Sequence, residues 1–318
     1  MKGVRNSGIS VVIPVKNAEK TITRCLEAVF SQSCPPLEVI VVDGHSSDKT
    51  VENVLKFPVK IVYEDYCTIG GARQVGLENA RGDFIAFTDA DCIPEKDWLE
   101  NLVIHFDGHF VGVGGSIKNI GEGVWKKSIA YITDTFLGSG NSVQGRIFKE
   151  KKIVKSISGC NSMFKRENLI KIGGFNISLS INEETELNKR LSKMGELLYT
   201  PDAIVVHDQD RGLKSFANRM YQFGQGRGKL RLWNLQCIPA LIAVFMLMSL
   251  LVTPWILIGG IIFYVILLLA HGINVSLHKK GCIYTLTVPI VYFIEHLFYA
   301  MGFWRGLLTF QKVKTKND

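Results

Sequence analysis

The chain has 318 residues, 47% of them hydrophobic, a net charge of +8 and a mean hydropathy of +0.17, enough to bury a large core. Its seven scattered cysteines show neither metal-ligand nor redox spacing, which excludes a disulfide scaffold and points to a reducing compartment. No basic patch is interleaved with aromatics, so nucleic acid is not expected as a partner, and the positive charge suits an anionic membrane face.

Met1–Gly8 carries no apolar signal-peptide core and leads into Ile9–Val15, a β-branched run of the kind that is covered on both faces of a sheet. Ala18–Gln32 places Ile22, Cys25, Leu26, Val29 and Phe30 on one helical face. Glu38–Val42 is a second buried strand with Asp43 at its carboxyl end, and Asp48 can cap a short helix after it. Val59–Tyr63, Gly70–Ala80 and Phe84–Thr88 continue as strand, helix and strand. This alternation predicts a mostly parallel α/β sheet with helices on both faces, in which ligands bind beyond the carboxyl ends of the strands. Pro14, Asp43, Asp89 and Asp91 all fall at those ends. The turn after the first strand, Pro14-Val15-Lys16-Asn17-Ala18, lacks the glycines of a dinucleotide-binding fold, and no Walker A sequence occurs.

Phe84–Thr88 ends in Asp89-Ala90-Asp91, where two carboxylates can share one divalent cation and so grip a diphosphate; a turn or helix N-cap is the simpler reading. Residues 119–155 are weakly patterned and read as a loop-bearing acceptor region or a surface insertion. Ser158–Lys165 reads as a turn into a strand, and Glu167–Ile172 as a short helix stopped by Gly173-Gly174. The next helix begins at Asn182-Glu183-Glu184-Thr185-Glu186, where three acids suit the helix dipole even without a function. Ala203–Val206 is a late strand ending at His207.

Leu213–Leu232 mixes Phe216, Met220 and Phe223 with Arg219, Arg227 and Arg231, as an amphipathic interfacial helix does, although Gly224, Gly226 and Gly228 weaken it. From Leu232 to His278 no Asp, Glu, Lys or Arg occurs. At ~1.5 Å per residue that run reaches roughly 70 Å, a little over twice the ~30 Å of a hydrocarbon core. With Pro254 near its middle, it predicts a hairpin of membrane helices at about 233–253 and 254–271. A third apolar segment, 283–302, contains Glu295 and His296. Basic clusters at Arg227–Arg231, at Lys279-Lys280 and from Arg305 to Lys316 would all be cytoplasmic under the positive-inside rule. That favours a re-entrant or interfacial third segment. The expected domains are therefore 1–212, an interfacial segment 213–232, a membrane region 233–304 and a basic tail 305–318.

Five ordered pieces, VVIPVKN at 11–17, VVDGHSSDKT at 41–50, GGARQVGLENARGDFIAFTDAD at 70–91, SGCNSMFKRENLIKIGGF at 158–175 and NEETELNKRL at 182–191, resemble glycosyltransferase family 2. The resemblance implies a GT-A fold and a nucleotide-diphosphate sugar donor. By it, Pro14, Val15, Asp43, Arg73 and Ala90 would line the nucleotide-sugar site. Asp89 and Asp91 would be a DxD motif holding Mg2+ or Mn2+, and His207 would approach the metal. Glu184 would be the general base of an inverting displacement. The membrane region resembles that of polyprenyl-phosphate glycosyltransferases, implying a lipid or lipid-linked acceptor whose phosphate would meet Arg219, Arg227 and Arg231, with the catalytic domain on the cytoplasmic face. Departures are Glu184 for the commoner aspartate, Gly44 for a second aspartate, Gln74 for asparagine and Lys16 for an aromatic, which leave the nucleoside open. Arg231-Leu232-Trp233 breaks the Gln-x-x-Arg-Trp motif of processive synthases. A sugar nucleotidyltransferase or an inactive membrane scaffold of the same fold are the alternatives; the first would need a Gly-rich basic loop in place of VIPVKNAEK.

Overall fold

A computed structural model describes residues 8–106, 109–208 and 212–309, so Lys312, Lys314 and Lys316 of the basic tail lie outside the described residues. The chain divides into two compact units: Lys118 and the residues before it with Ile147–Asp208, and Asn119–Arg146 with the C-terminal region.

The first unit is built on a nine-stranded mixed sheet. Strands β1 (Ile9–Val15), β2 (Glu38–Asp43), β3 (Lys60–Tyr63) and β4 (Phe84–Phe87) are parallel, in the order β3-β2-β1-β4. Helices α1 (Ile22–Phe30), α2 (Thr50–Val54) and α3 (Ile69–Asn79) connect them. β1 is buried along its whole length, as its unbroken apolar pattern requires. Its odd residues Val11 and Ile13 pack with Leu26 and Val29 of α1, while Val12 packs with Ala72 and Leu77 of α3 on the other face. That two-sided burial fixes the register and sends every carboxyl end to one edge.

Beyond β4 the sheet runs antiparallel. Strand β5 (Cys92–Pro94) and helix α4 (Trp98–Val103) precede β6 (Phe110–Ile120). In the second unit α5 (Val124–Thr133) and α6 (Phe136–Ser139) follow, before the chain returns as β7 (Lys152–Val154), β8 (Ser162–Lys165), α7 (Arg166–Lys171), α8 (Glu183–Leu191) and β9 (Glu196–Asp208). β8 pairs with β4, matching Ser162 to Phe87, and β5 pairs with β9, matching Cys92 to His207. These two pairings bring residues far apart in sequence to the end of β4.

The second unit is helical. The stretch read as weakly patterned folds as α5 and α6, whose Ile129 and Ile132 are buried against Val288 and Tyr292. α9 (Leu213–Lys229) is one unbroken helix despite its glycines. A 3-10 turn at Leu235–Cys237 leads to α10 (Ile238–Ser249), α11 (Pro254–Lys279) and α12 (Tyr284–Leu308). The lengths differ from the expected hairpin. α10 has 12 residues and rises only about 18 Å, short of a ~30 Å core. Among the described residues α11 and α12, with 26 and 25 residues, are the two helices long and apolar enough to cross a membrane. The third apolar segment is thus continuous helix through Pro289, without the break that a re-entrant turn needs.

α9 packs against α12 nearly backbone to backbone. A Cβ at Gly224 would lie 2.1 Å from the Tyr299 carbonyl oxygen, and one at Gly302 would lie 2.0 Å from that of Tyr221. Only glycine fits such a crossing, which is how small-residue pairs let membrane helices approach.

Candidate active site

β4 delivers its aspartates to the sheet edge because Thr88 still donates its backbone N–H to Val12, at 3.3 Å, before the chain leaves the sheet. Just beyond, β5 clamps the chain to β9, and the backbone N–H of Asp208 donates to the Asp91 carbonyl at 3.2 Å. His207 Nε2 then lies 3.2 Å from Asp91 Oδ2. One ligand atom each from Asp91, His207 and the fully buried Cys92 lie within 4.8 Å of one another. Sequence proximity had no means of linking His207 to Asp91; the antiparallel return of β9 does.

Asp89 faces a different partner. Arg73, on α3 and 3% exposed, donates from Nη2 to Asp89 Oδ1 at 2.9 Å and from Nη1 to Glu183 Oε1. Gly159 permits this, since a Cβ there would stand 2.3 Å from Arg73 Nη1. The guanidinium therefore ties one aspartate of the pair to the first turn of α8. Asn182, in the left-handed region at φ 61°, turns the chain into that helix, a conformation asparagine tolerates better than most residues.

The three glutamates of α8 take different roles. Glu183 points inward to Arg73, and burial followed by the neighbouring Glu184 carboxylate pushes its carboxyl up, to about 8, against the pull of Arg73. Glu186 is held by Arg190 one turn later, at 2.7 Å. Glu184 is half-buried, with the Thr185 hydroxyl 3.3 Å from its Oε1. Its carboxylate lies within electrostatic reach of Arg73 and beside that of Glu183.

At the other end of the edge, Val15 pairs in register with Asp43 and Pro14 with Val42. Asp43 is 1% exposed and accepts from the Ser46 backbone N–H at 3.0 Å and the Ser46 hydroxyl at 2.5 Å. Asn17, at φ 52°, receives the Ser47 N–H at 2.8 Å, which stitches the loops after β1 and β2 together. One acid here went unread in the sequence. Glu64, after β3, is 4% exposed, donates its backbone N–H to the Asp43 carbonyl at 3.1 Å and has a buried carboxylate oxygen without a hydrogen-bond partner. Its only signal is its position one residue past a strand end. The arginines read as phosphate ligands belong to the second unit and differ among themselves. Arg219 lies over the Phe223 ring at 4.8 Å, Arg227 is buried, and Arg231 follows the end of α9 at φ 48°.

Residues 10–173 match the family model for glycosyl transferase family 2. The chain belongs to that family. This glycosyltransferase is 28% identical over 324 residues to the dolichyl N-acetyl-α-D-glucosaminyl phosphate 3-β-D-2,3-diacetamido-2,3-dideoxy-β-D-glucuronosyltransferase of Methanococcus voltae, covering 94% of this chain and 97% of that one. It is 30% identical over 263 residues to glycosyltransferase AglE of Haloferax volcanii, covering 79% and 80%. Among solved structures, the mannosyltransferase PcManGT of Pyrobaculum calidifontis, bound to GDP-Man and Mn2+, aligns over 92% of this chain and 86% of its own with a TM-score of 0.60 at 20% identity. At that identity the likeness shows the fold, a GT-A domain followed by apolar helices.

Proposed function

We propose that this glycosyltransferase moves a sugar from a nucleotide-diphosphate donor to a lipid or lipid-linked acceptor, with inversion, at the cytoplasmic face of a membrane. The observation that carries the reading is the Asp89–Arg73–Glu183 chain of hydrogen bonds, which links the aspartate pair to the helix turn bearing Glu184. Two functions that a displacement needs, holding the leaving diphosphate and activating the incoming hydroxyl, are thereby coupled through one buried side chain. The dolichyl phosphate in the name of the Methanococcus relative and two membrane-length helices in the same chain support a lipid-linked acceptor.

The donor set fits a hard or borderline divalent cation. Asp91 and His207 offer oxygen and nitrogen at 3.2 Å separation; Asp89 stands outside the group that Asp91, His207 and Cys92 form, one of its oxygens taken by Arg73, and would join through the other. Asp91, His207 and Asp89 would hold Mg2+ or Mn2+, which when bound offsets the charge developing on the departing diphosphate. Pro14, Val15, Asp43, Arg73 and Ala90 frame the nucleotide-sugar end of the edge in this reading. Glu184 takes the proton from the acceptor hydroxyl; the new O–C1 bond forms as the C1–O bond to the diphosphate breaks, and the nucleoside diphosphate leaves. One carboxylate suffices, because no sugar–enzyme bond is made.

The test incubates purified full-length protein with labelled nucleotide sugars, Mn2+ or Mg2+ and membrane lipids, and follows label into the lipid phase. Glu184→Gln is expected to lower kcat at least ~100-fold with the donor KM little changed, as loss of a general base does. Unchanged turnover in that variant removes Glu184 as the base. A product retaining the donor's anomeric configuration rules out the single displacement.

A further inference from the structure

The donor atoms gathered most closely at the end of β4 include a thiol. They belong to Asp91, Cys92 and His207, and all lie within 4.8 Å of one another. Asp89 stands outside that group and gives one carboxylate oxygen to Arg73 at 2.9 Å. The backbone explains the grouping. The Cys92 N–H donates to the Asp89 carbonyl at 3.0 Å, closing a tight turn across Asp89–Cys92. Cys92 then pairs with His207 across β5 and β9, and directly opposed residues of an antiparallel pair raise their side chains on the same face. Arg24 anchors the end of β9 by donating to Asp208 at 2.8 Å, which steadies His207 beside it.

Cys92 Sγ lies 3.7 Å from Asp91 Oδ1, and His207 Nε2 lies 3.2 Å from Asp91 Oδ2. A tetrahedral zinc ion with N and O ligands at about 2.0 Å and sulfur at about 2.3 Å holds N and O roughly 3.3 Å apart, and S and O roughly 3.5 Å apart. The three side chains already stand near those separations, and a fourth position is left for another ligand. Two other buried thiols of the same core differ. Cys25 donates to the Asp89 carbonyl at 3.4 Å, and Cys160 lies 3.4 Å from the Ser158 hydroxyl. Cys160 also shares a hydrogen bond with Cys92, as an outer partner that orients a ligand does. Neither belongs to the group. A thiolate among the donors changes which ion is held: sulfur is a poor ligand for Mg2+, and Mn2+ ranks below Zn2+ for such a set.

We propose that Asp91, Cys92 and His207 form a thiophilic metal site that takes Zn2+ in preference to Mg2+ or Mn2+, with Cys92 as the ligand that decides the preference. This rests on the cation seat placed at Asp91 and His207 above. On binding, a Zn–S bond replaces the Cys92 S–H bond and the proton passes to solvent. Zinc shares Asp91 and His207 with Mg2+ or Mn2+, so the ions exclude one another.

Purified full-length protein in detergent, without sugar donor or acceptor, is given Co2+ as a spectroscopic substitute for Zn2+, and then Zn2+. Wild type is expected to show a thiolate-to-cobalt charge-transfer band in the near ultraviolet, which Zn2+ abolishes. Cys92→Ser should lack the band, whereas Cys25→Ser and Cys160→Ser should keep it. Mn2+ binding, followed by electron paramagnetic resonance, supplies the competition. Zn2+ should bind wild type at least ~100-fold more tightly than Mn2+, and at least ~10-fold more weakly in Cys92→Ser, with Mn2+ affinity there changing less than about threefold. His207→Ala should weaken both ions and diminish the cobalt band, which decides the matter even where Cys92→Ser fails to fold. No thiolate band in wild type overturns the proposal, as does an unchanged ratio of Zn2+ to Mn2+ affinity in Cys92→Ser. A failure of sugar transfer leaves these results unaffected. A missing band with intact Mn2+ binding sinks the zinc site alone and leaves the Mg2+ or Mn2+ reading standing.

Discussion

Glu183 and Glu184 are adjacent in sequence and chemically opposite. The first is buried against Arg73, and its carboxyl is pushed up to about 8; the second is half-exposed beside it. A carboxyl raised in the folded state binds its proton more tightly there than in the unfolded chain, so folding is favoured while the group is neutral. The stabilisation from Glu183 is complete below the ordinary value of 4.5 and is lost as pH rises through about 8. Thermal melts between those limits should therefore show a falling Tm in wild type and a flatter profile in Glu183→Gln, which keeps an acceptor for Arg73 without the titration. Identical slopes would show that Glu183 is ionised throughout. The motif at 182–186 is legible in the sequence, and so is the arginine at 73. Their bond is not, because it spans 110 positions and depends on Gly159 leaving room for the guanidinium.

Among elements, those with one dominant local signal were readable. β1, β2 and β4 are short β-branched or aromatic runs buried on both faces, and their ends fall within a residue or so of the sequence reading. α5 and α6 carried no such signal, since their apolar residues complement α12, more than a hundred residues later. α9 forms where the sequence reads a helix, and its glycines do not break it for a definite reason. Helix propensity charges each glycine ~1 kcal/mol, but that scale knows nothing of a neighbouring helix. Gly224 and Gly228 are where α12 comes closest, with a Cβ at Gly228 lying 2.2 Å from the Phe303 carbonyl oxygen. Gly224→Val and Gly302→Val should each destabilise the helical unit by about 1–3 kcal/mol or more through overpacking. Gly259→Ala, with nothing within 4 Å of the new Cβ, should be neutral or slightly stabilising. Unfolding of the detergent-solubilised protein followed by circular dichroism measures all three, and a silent Gly302→Val would mean that α9 and α12 cross more loosely than backbone contact requires.

For the molecule as a whole, the helix lengths change the expected topology. In the membrane-anchored reading, with α10 too short to cross and α11 and α12 long enough, the turn at Lys279–Cys282 and the segment around Arg227–Arg231 would fall on opposite sides of the membrane. The basic residues around 227–231 and Arg305 would then share one side, which the positive-inside rule would make the cytoplasm, with Lys279 and Lys280 opposite. Two exposed cysteines report this directly, Cys282 in the turn and Cys67 in the sheet unit. In intact cells a membrane-impermeant maleimide is expected to label Cys282 but not Cys67, and permeabilisation should add Cys67. Protection of Cys282 until permeabilisation would restore the α10–α11 hairpin. The short α10 carries a mechanical consequence. Rising about 18 Å, it fills roughly the depth of a single leaflet. With Leu241, Phe245, Leu247 and Met248 exposed along it, an α10 embedded as the membrane-anchored reading proposes would displace more lipid from one monolayer than from the other, stress the two leaflets unequally and couple the enzyme to membrane curvature.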